Sequence, residues 1–124
     1  MAQSNYAENH ALALAGEKLA ASTYSEMGYA IVGTRVRTKV GEIDLIVREE
    51  TGTVVFVEVK TRRGRGFGAA EAVTAKKLRT MRRCAAEWLA GNAYAPVRFD
   101  VAEVIVTGET MDIRLFEDVD HGAC

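Results

Sequence analysis

Three charged side chains sit inside otherwise apolar runs: Asp44 in GEIDLIVR, and Glu58 and Lys60 in VVFVEVKT. Both runs alternate with the period of a β-strand. Glu42, Asp44 and Ile46 are expected on one face of the first, opposite Ile43, Leu45 and Val47. In the second, Phe56, Glu58 and Lys60 oppose Val55, Val57 and Val59. Between them lies Glu49-Glu50-Thr51-Gly52-Thr53, where Gly52 suits the left-handed last position of a three-residue hairpin loop. With that loop, Asp44 faces Glu58 and Glu42 faces Lys60, and facing Cβ atoms lie about 4.5–5.5 Å apart. A two-residue loop would shift the register by one and break the match.

Two carboxylates this close repel, and burying either without a partner is costly. A divalent cation resolves the conflict. Hard oxygen donors suit Mg²⁺ or Mn²⁺, which take one or two carboxylates and keep several waters. Lys60, on the face of Glu58, would orient or help deprotonate a water. These are the parts of metal-assisted phosphodiester hydrolysis. The alternative for the same residues is a cross-strand ion-pair ladder in which Lys60 neutralises Glu42 or Glu58.

Other elements must position this hairpin. Ala7 to Met27 is rich in Ala, Leu and Glu and predicts a helix, with Leu12, Ala15, Leu19 and Ser22 at helical spacing and Gly28 as its C-terminal cap. Tyr29 to Thr38 reads as a strand. Arg62 to Ala69 is glycine-rich and basic and predicts an exposed loop. Glu71 to Ala90 predicts a second helix, with Val73, Leu78, Met81, Ala85, Trp88 and Leu89 on one side and Lys76, Arg79 and Arg83 on another. Strands follow at Val97 to Val106 and Met111 to Phe116, with a turn near Gly108-Glu109. The order α-β-β-β-α-β-β points to an α/β fold, a mixed sheet flanked by helices. Trp88 and Phe99 are expected in the core.

At 124 residues the chain has the length of one domain, with about 1–6 and 118–124 expected to fray. No apolar run approaches the roughly 20 residues of a membrane span, and the start MAQSNYAENH lacks the features of a secretory signal, so no membrane and a cytoplasmic location are expected. Cys84 and Cys124 form no disulfide framework. The net charge of −1 hides an asymmetry: between Lys60 and Arg83 nine basic residues stand against Glu71, whereas from Asp100 onward seven acids stand against Arg114. This suggests a positively charged face that could meet a polyanion such as a nucleic acid, the alternative being a solvated helix face balanced by the acidic C-terminal strands. Arg62, Arg63 and Arg65 suit backbone phosphates in a salt-sensitive, sequence-blind manner. His10 and His121 have no partner motif.

GEIDLIV, then VVFVEVKTR, then a lysine-bearing helix and PVRFDV together resemble the YraN-like family of small bacterial proteins, across nearly the whole chain. That family is similar in fold to the PD-(D/E)xK nucleases, and to archaeal Holliday-junction resolvases in particular. The resemblance implies a restriction-endonuclease-like core with Asp44, Glu58 and Lys60 as catalytic residues. It further implies Glu17, on the first helix, as a supplementary acid, the Val59 carbonyl as a metal ligand beside Asp44 and Glu58, and Lys76 or Lys77 at a phosphate-touching helix position. Ile43 stands where the motif's name asks for proline. The implied activity is a Mg²⁺- or Mn²⁺-dependent endonuclease acting on DNA, including branched or recombination intermediates, as a homodimer or with a repair partner. A nucleic-acid-binding module that does not turn over is the runner-up. Glu42 reads either as a further ligand or as one half of an exposed ion pair.

Overall fold

The structure, a computed structural model, describes residues 2–64 and 74–120, with side chains from Tyr6 onward. The elements are α1 (Ala2–Glu26), β1 (Ala30–Arg37), β2 (Glu42–Arg48), β3 (Val54–Arg63), α2 (Ala75–Ala90), β4 (Val97–Thr107) and β5 (Thr110–Phe116), in the predicted order. Boundaries differ where local chemistry decides them. α1 begins at Ala2 and ends before Gly28, whose φ of 95° only glycine adopts cheaply. α2 begins at Ala75 because Thr74 is extended and its side chain caps the helix by accepting from the Lys77 N–H; the expected start at Glu71 lies outside the described residues. β3 runs on to Arg63, so Arg62 and Arg63 are strand residues paired with Ile105 and Val106 rather than parts of a loop.

The strands form one sheet in the order β1-β2-β3-β4-β5. β3 and β4 are parallel, and the other neighbours are antiparallel. A parallel pair needs a crossover, and α2 lies in the connection that makes it. The β2–β3 hairpin closes as the loop chemistry predicts. Glu49 N–H donates to Thr53 O at 2.8 Å, Gly52 N–H donates to Glu49 O at 2.8 Å, and Gly52 has a φ of 103°. The register runs from Arg48↔Val54 to Leu45↔Val57.

One helix covers each face. Met81, Cys84 and Ala85 of α2 pack on Ile43, Ile46, Val54, Phe56 and Phe99, with Trp88 edge-on to Phe56 at 5.8 Å. Ala20 and Tyr24 of α1 pack on Leu45, Val47, Val55, Val57 and Ala102. Each such fully buried aliphatic side chain contributes about 1.5–3 kcal/mol. The buried stripe of α1 is Gly16, Ala20 and Tyr24, not the expected Leu12, Ala15, Leu19 and Ser22, of which Ser22 is exposed and the rest half-buried. Small residues let α1 sit close, and the Tyr24 hydroxyl then reaches the sheet to donate to Asp100 Oδ2 at 2.7 Å.

Asp100 is wholly buried, yet satisfied. Besides Tyr24 it accepts from Arg98 Nε at 2.9 Å and Nη2 at 2.9 Å, and from the Asp118 N–H at 3.0 Å. Arg98 also reaches Tyr29 Oη and Glu49 Oε2, so a single network joins α1, β4, the hairpin loop and the tail. Residues 118–120, expected to fray, are held: Val119 N–H donates to Phe99 O at 2.8 Å, and Arg82 pairs with Asp120. No helix among the described residues is long and apolar enough to cross a membrane.

Gly16 marks the closest approach of α1 to β3. A Cβ there would lie 1.9 Å from Thr61 Oγ1, which is buried and without a hydrogen-bond partner among the described residues. Gly16→Ala is therefore expected to destabilise the fold by about 1–3 kcal/mol through overpacking. Adding Thr61→Ala should recover part of that loss, measured as a coupling energy in a double-mutant cycle of urea unfolding.

Candidate functional site

The chemistry-bearing residues collect where β2 parts from β3. The ladder stops at Leu45↔Val57. Because Glu49 and Thr53 are a hydrogen-bonded pair, a continued ladder would have the Val59 N–H donate to the Ile43 carbonyl. It donates instead to Asp44 Oδ2, at 2.8 Å. The Asp44 carboxylate thus replaces a backbone acceptor at the mouth of the splay, and the directly opposed Asp44–Glu58 and Glu42–Lys60 pairs expected from the loop lie beyond the end of the ladder. By strand geometry the Val59 carbonyl lies on the same edge of β3 as its N–H, the edge that faces β2.

Asp44 also lines a cleft of about 190 Å³ between α1 and β1, with Glu17, Lys18, Thr34 and Arg35 among its walls. Glu58, on the α2 side of β3, is buried at 7% exposure. Its Oε2 lies 3.3 Å from Lys60 Nζ and 3.3 Å from Lys77 Nζ. Of the two helix lysines, Lys77 is the one turned to the site, whereas Lys76 is exposed.

Burial pushes the Asp44 carboxyl up to about 6. The neighbouring Glu58 carboxylate pushes the same way, against the Val59 N–H; Glu17 then raises it further and Lys77 lowers it. Burial raises Glu17 as well; Arg35 opposes that shift, while Glu42 and Glu58 add to it. Three carboxylates, Glu17, Asp44 and Glu58, therefore interact electrostatically across the two faces, and at Asp44 Lys77 offsets that repulsion only in part.

The remaining predicted positions fall outside this group. Glu42 is held by Arg37 at 3.7 Å and by Arg35 at 4.0 Å, the exposed ion-pair arrangement. Arg62 Nε donates to Glu103 Oε2 at 3.3 Å; Arg63 is exposed at the end of β3. Arg65 lies outside the described residues. Cys84 is a buried free thiol that accepts from Thr38 Oγ1 at 3.3 Å. Sequence reasoning missed two acids, Asp100 and Glu103, both fully buried. The signal was present as two carboxylates within the apolar run VRFDVAEVIV. Glu103 sits beside Lys60 in the parallel register.

Among the described residues no group of three or more His, Cys, Asp or Glu is arranged to hold a metal ion. Magnesium does not require such a cage, since it takes one or two carboxylates with waters. Asp44, Glu58 and the Val59 carbonyl are oxygen donors of that kind; Asp44 opens to the α1 cleft and Glu58 to the α2 side, so a single cation could meet both only past the end of the β2–β3 ladder.

The raised Asp44 carboxyl sets a pH dependence. With its folded-state value near 6 above the ordinary 3.8, protonated Asp44 is favoured by folding. That contribution is complete below about pH 4 and is lost as pH rises through 6. In chelator at pH 8, Asp44→Asn should melt several degrees above wild type, since asparagine keeps an acceptor for Val59 without the charge. At pH 4 the difference should vanish, which paired thermal melts would check.

The profile of the uncharacterised protein family UPF0102 matches residues 16–104, from the second half of α1 into β4. A UPF0102 protein of Corynebacterium efficiens is 52% identical over 118 residues, 94% of this chain and 97% of the relative. One from Corynebacterium diphtheriae is 47% identical over 118 residues, 94% of this chain and 96% of its own length. One from Symbiobacterium thermophilum is 52% identical over 93 residues, 73% and 78% of the two chains. The chain belongs to the UPF0102 family.

Proposed function

We propose that this protein is a metal-dependent endonuclease that hydrolyses phosphodiester bonds in DNA, including branched or recombination intermediates. The observation that carries the reading is the Asp44 carboxylate, held on the Val59 N–H at a break in the sheet and strained by Glu58 and Glu17. A purely structural sheet gains nothing from like charges gathered at a splay.

Asp44, Glu58 and the Val59 carbonyl would hold Mg²⁺ or Mn²⁺, which supplies Lewis-acid polarisation of the scissile phosphate. The chain's own groups account for the rest. Lys60, 40% exposed and anchored by Glu58, presents its ammonium to a phosphate oxygen or to the attacking water. Lys77 carries a second positive charge to the same carboxylate from α2 and offsets charge that develops on the phosphate. Glu17 supports Asp44 from the α1 side of the cleft. The exposed Arg63 and Lys76 would contact a phosphate backbone, while Arg62 is braced on Glu103. Two cuts in a branched substrate need two sites, which a homodimer or a repair partner would supply.

Two lysines already pair with Glu58, which suits a fold that keeps the site without turnover, either as a DNA-binding module or as a structural ion-pair ladder. Cleavage of labelled four-way-junction, single-stranded and duplex DNA with Mg²⁺ or Mn²⁺ separates these readings. Under the nuclease reading wild type cuts only with metal, and Asp44→Asn and Lys60→Ala each lower the rate by roughly 10²-fold or more. Salt-sensitive binding with no cutting would leave the binding module. Neither binding nor cutting would leave the hairpin charges as an ion-pair ladder.

A further inference from the structure

β1 and β2 both break their alternation at one shared rung, and β1 carries a further register shift between Ile31 and Gly33. Thr34 pairs with Leu45 and Val36 pairs with Ile43, so Arg35 and Asp44 occupy the rung between. An unbroken pleat would put Thr34 with Val36 on one face and Leu45 with Ile43 on one face. Neither holds. Leu45 packs in the α1 cluster and Thr34 lines the α1 cleft, whereas Ile43 and Val36 belong to the α2 cluster. Both strands change face at this rung, and Arg35 and Asp44 both line the α1 cleft. By alternation from Ile46, which belongs to the α2 cluster, Asp44 would have pointed to the α2 side.

The backbone of Arg35 has a φ of 49°. Among the described residues only Asp118 shares a positive φ without being glycine. For an L residue with a long side chain this conformation costs roughly 1–2 kcal/mol, and within a strand it turns the following pleat over. The Arg35 guanidinium also lines the α1 cleft, where it opposes the raised Glu17 carboxyl. It lies 4.0 Å from Glu42 Oε1, and Arg37 holds the same carboxylate more closely, at 3.7 Å.

We propose that Arg35 is a positioning residue whose left-handed backbone inverts the β1–β2 rung, turning Asp44 out of the α2 face to share a cleft with Glu17 and to accept from the Val59 N–H. The functional weight of this device rests on the nuclease reading; the geometry does not. What matters at position 35 is tolerance of positive φ. Glycine and asparagine share that tolerance without the guanidinium, and β-branched residues lack it.

Amide hydrogen exchange by NMR, in chelator, on Arg35→Gly, Arg35→Asn and Arg35→Val reads the device directly. The Val59 amide is the reporter, and Val47 and Val55 in the intact ladder are internal references. The expected result is Val59 protection within about threefold of wild type in the Gly and Asn variants. In Arg35→Val it should fall at least tenfold while the references hold, and Arg35→Thr takes its place should the valine variant not fold. Loss of Val59 protection in the Gly and Asn variants would overturn the proposal by showing that the guanidinium holds the rung. Full protection in the β-branched variant would overturn it equally. Cleavage rates on the same proteins should follow the same order. A wild type that cuts nothing would sink the nuclease reading while the Val59 amide still decided this one.

Discussion

One hydrogen bond organises this molecule: the Val59 N–H donating to the Asp44 carboxylate at the point where β2 leaves β3. A backbone donor at the end of a ladder must find a partner or remain exposed to water. Here the partner carries a full charge, so the end of the sheet pairing and the start of a polar site are the same event. The bond lowers the Asp44 carboxyl, but burial and the Glu58 carboxylate outweigh it. The site is thus held together geometrically while it is strained electrostatically, a combination common at functional sites and uneconomical elsewhere.

The rest of the fold keeps that strain in place. α1 approaches the sheet closely enough to bring Glu17 to the cleft, because Gly16 clears Thr61 at one point and Tyr24 is tied to Asp100 two turns further on. Asp100 in turn fixes Arg98 and the tail, so the same buried carboxylate that seats α1 also closes the far end of the molecule. On the opposite face α2 completes the parallel crossover and delivers Lys77 to Glu58. The cations and carboxylates come from four different elements. No single hairpin could have assembled them; loss of α2 would take Lys77 from Glu58, and loss of α1 would take the Tyr24 hydroxyl from the buried Asp100.

How much of this was legible in the sequence depended on how local its cause was. The hairpin loop and the rungs from Arg48↔Val54 to Leu45↔Val57 were legible, since Gly52 at its position dictates the loop and the loop dictates the register. The pairs expected beyond them, Asp44–Glu58 and Glu42–Lys60, were not formed as ladder rungs. The element order followed from the change between periods of 3.6 and 2. The buried stripe of α1 was not legible, because alanine and glycine faces look alike in composition, and only the reach of Tyr24 to Asp100 selects one. The inverted rung at Arg35 and Asp44 escaped for a related reason: period-two reasoning assumes an unbroken pleat, and an arginine gives no hint of a positive φ. The choice between Lys76 and Lys77 needed the rotation of α2 about its axis, which the Thr74 cap and the packing of Met81 set together. Asp100 and Glu103 were visible as acids in an apolar strand, but apart from Arg98, two residues from Asp100, their partners Tyr24, Asp118 and Arg62 lie farther off in the chain.

The central claim, that the acids gathered at the splay take a divalent cation, is tested most directly by paramagnetic broadening. Substoichiometric Mn²⁺ would be titrated into ¹⁵N-labelled protein and the amide signals followed residue by residue. Selective broadening centred on Asp44, Glu58 and Val59, extending to Glu17 and reversed by excess Mg²⁺, is the expected result, and it should disappear in Asp44→Asn. Broadening centred instead on the acidic C-terminal strands, or uniform weak broadening unchanged by that substitution, would contradict the claim and return Asp44 and Glu58 to a structural role.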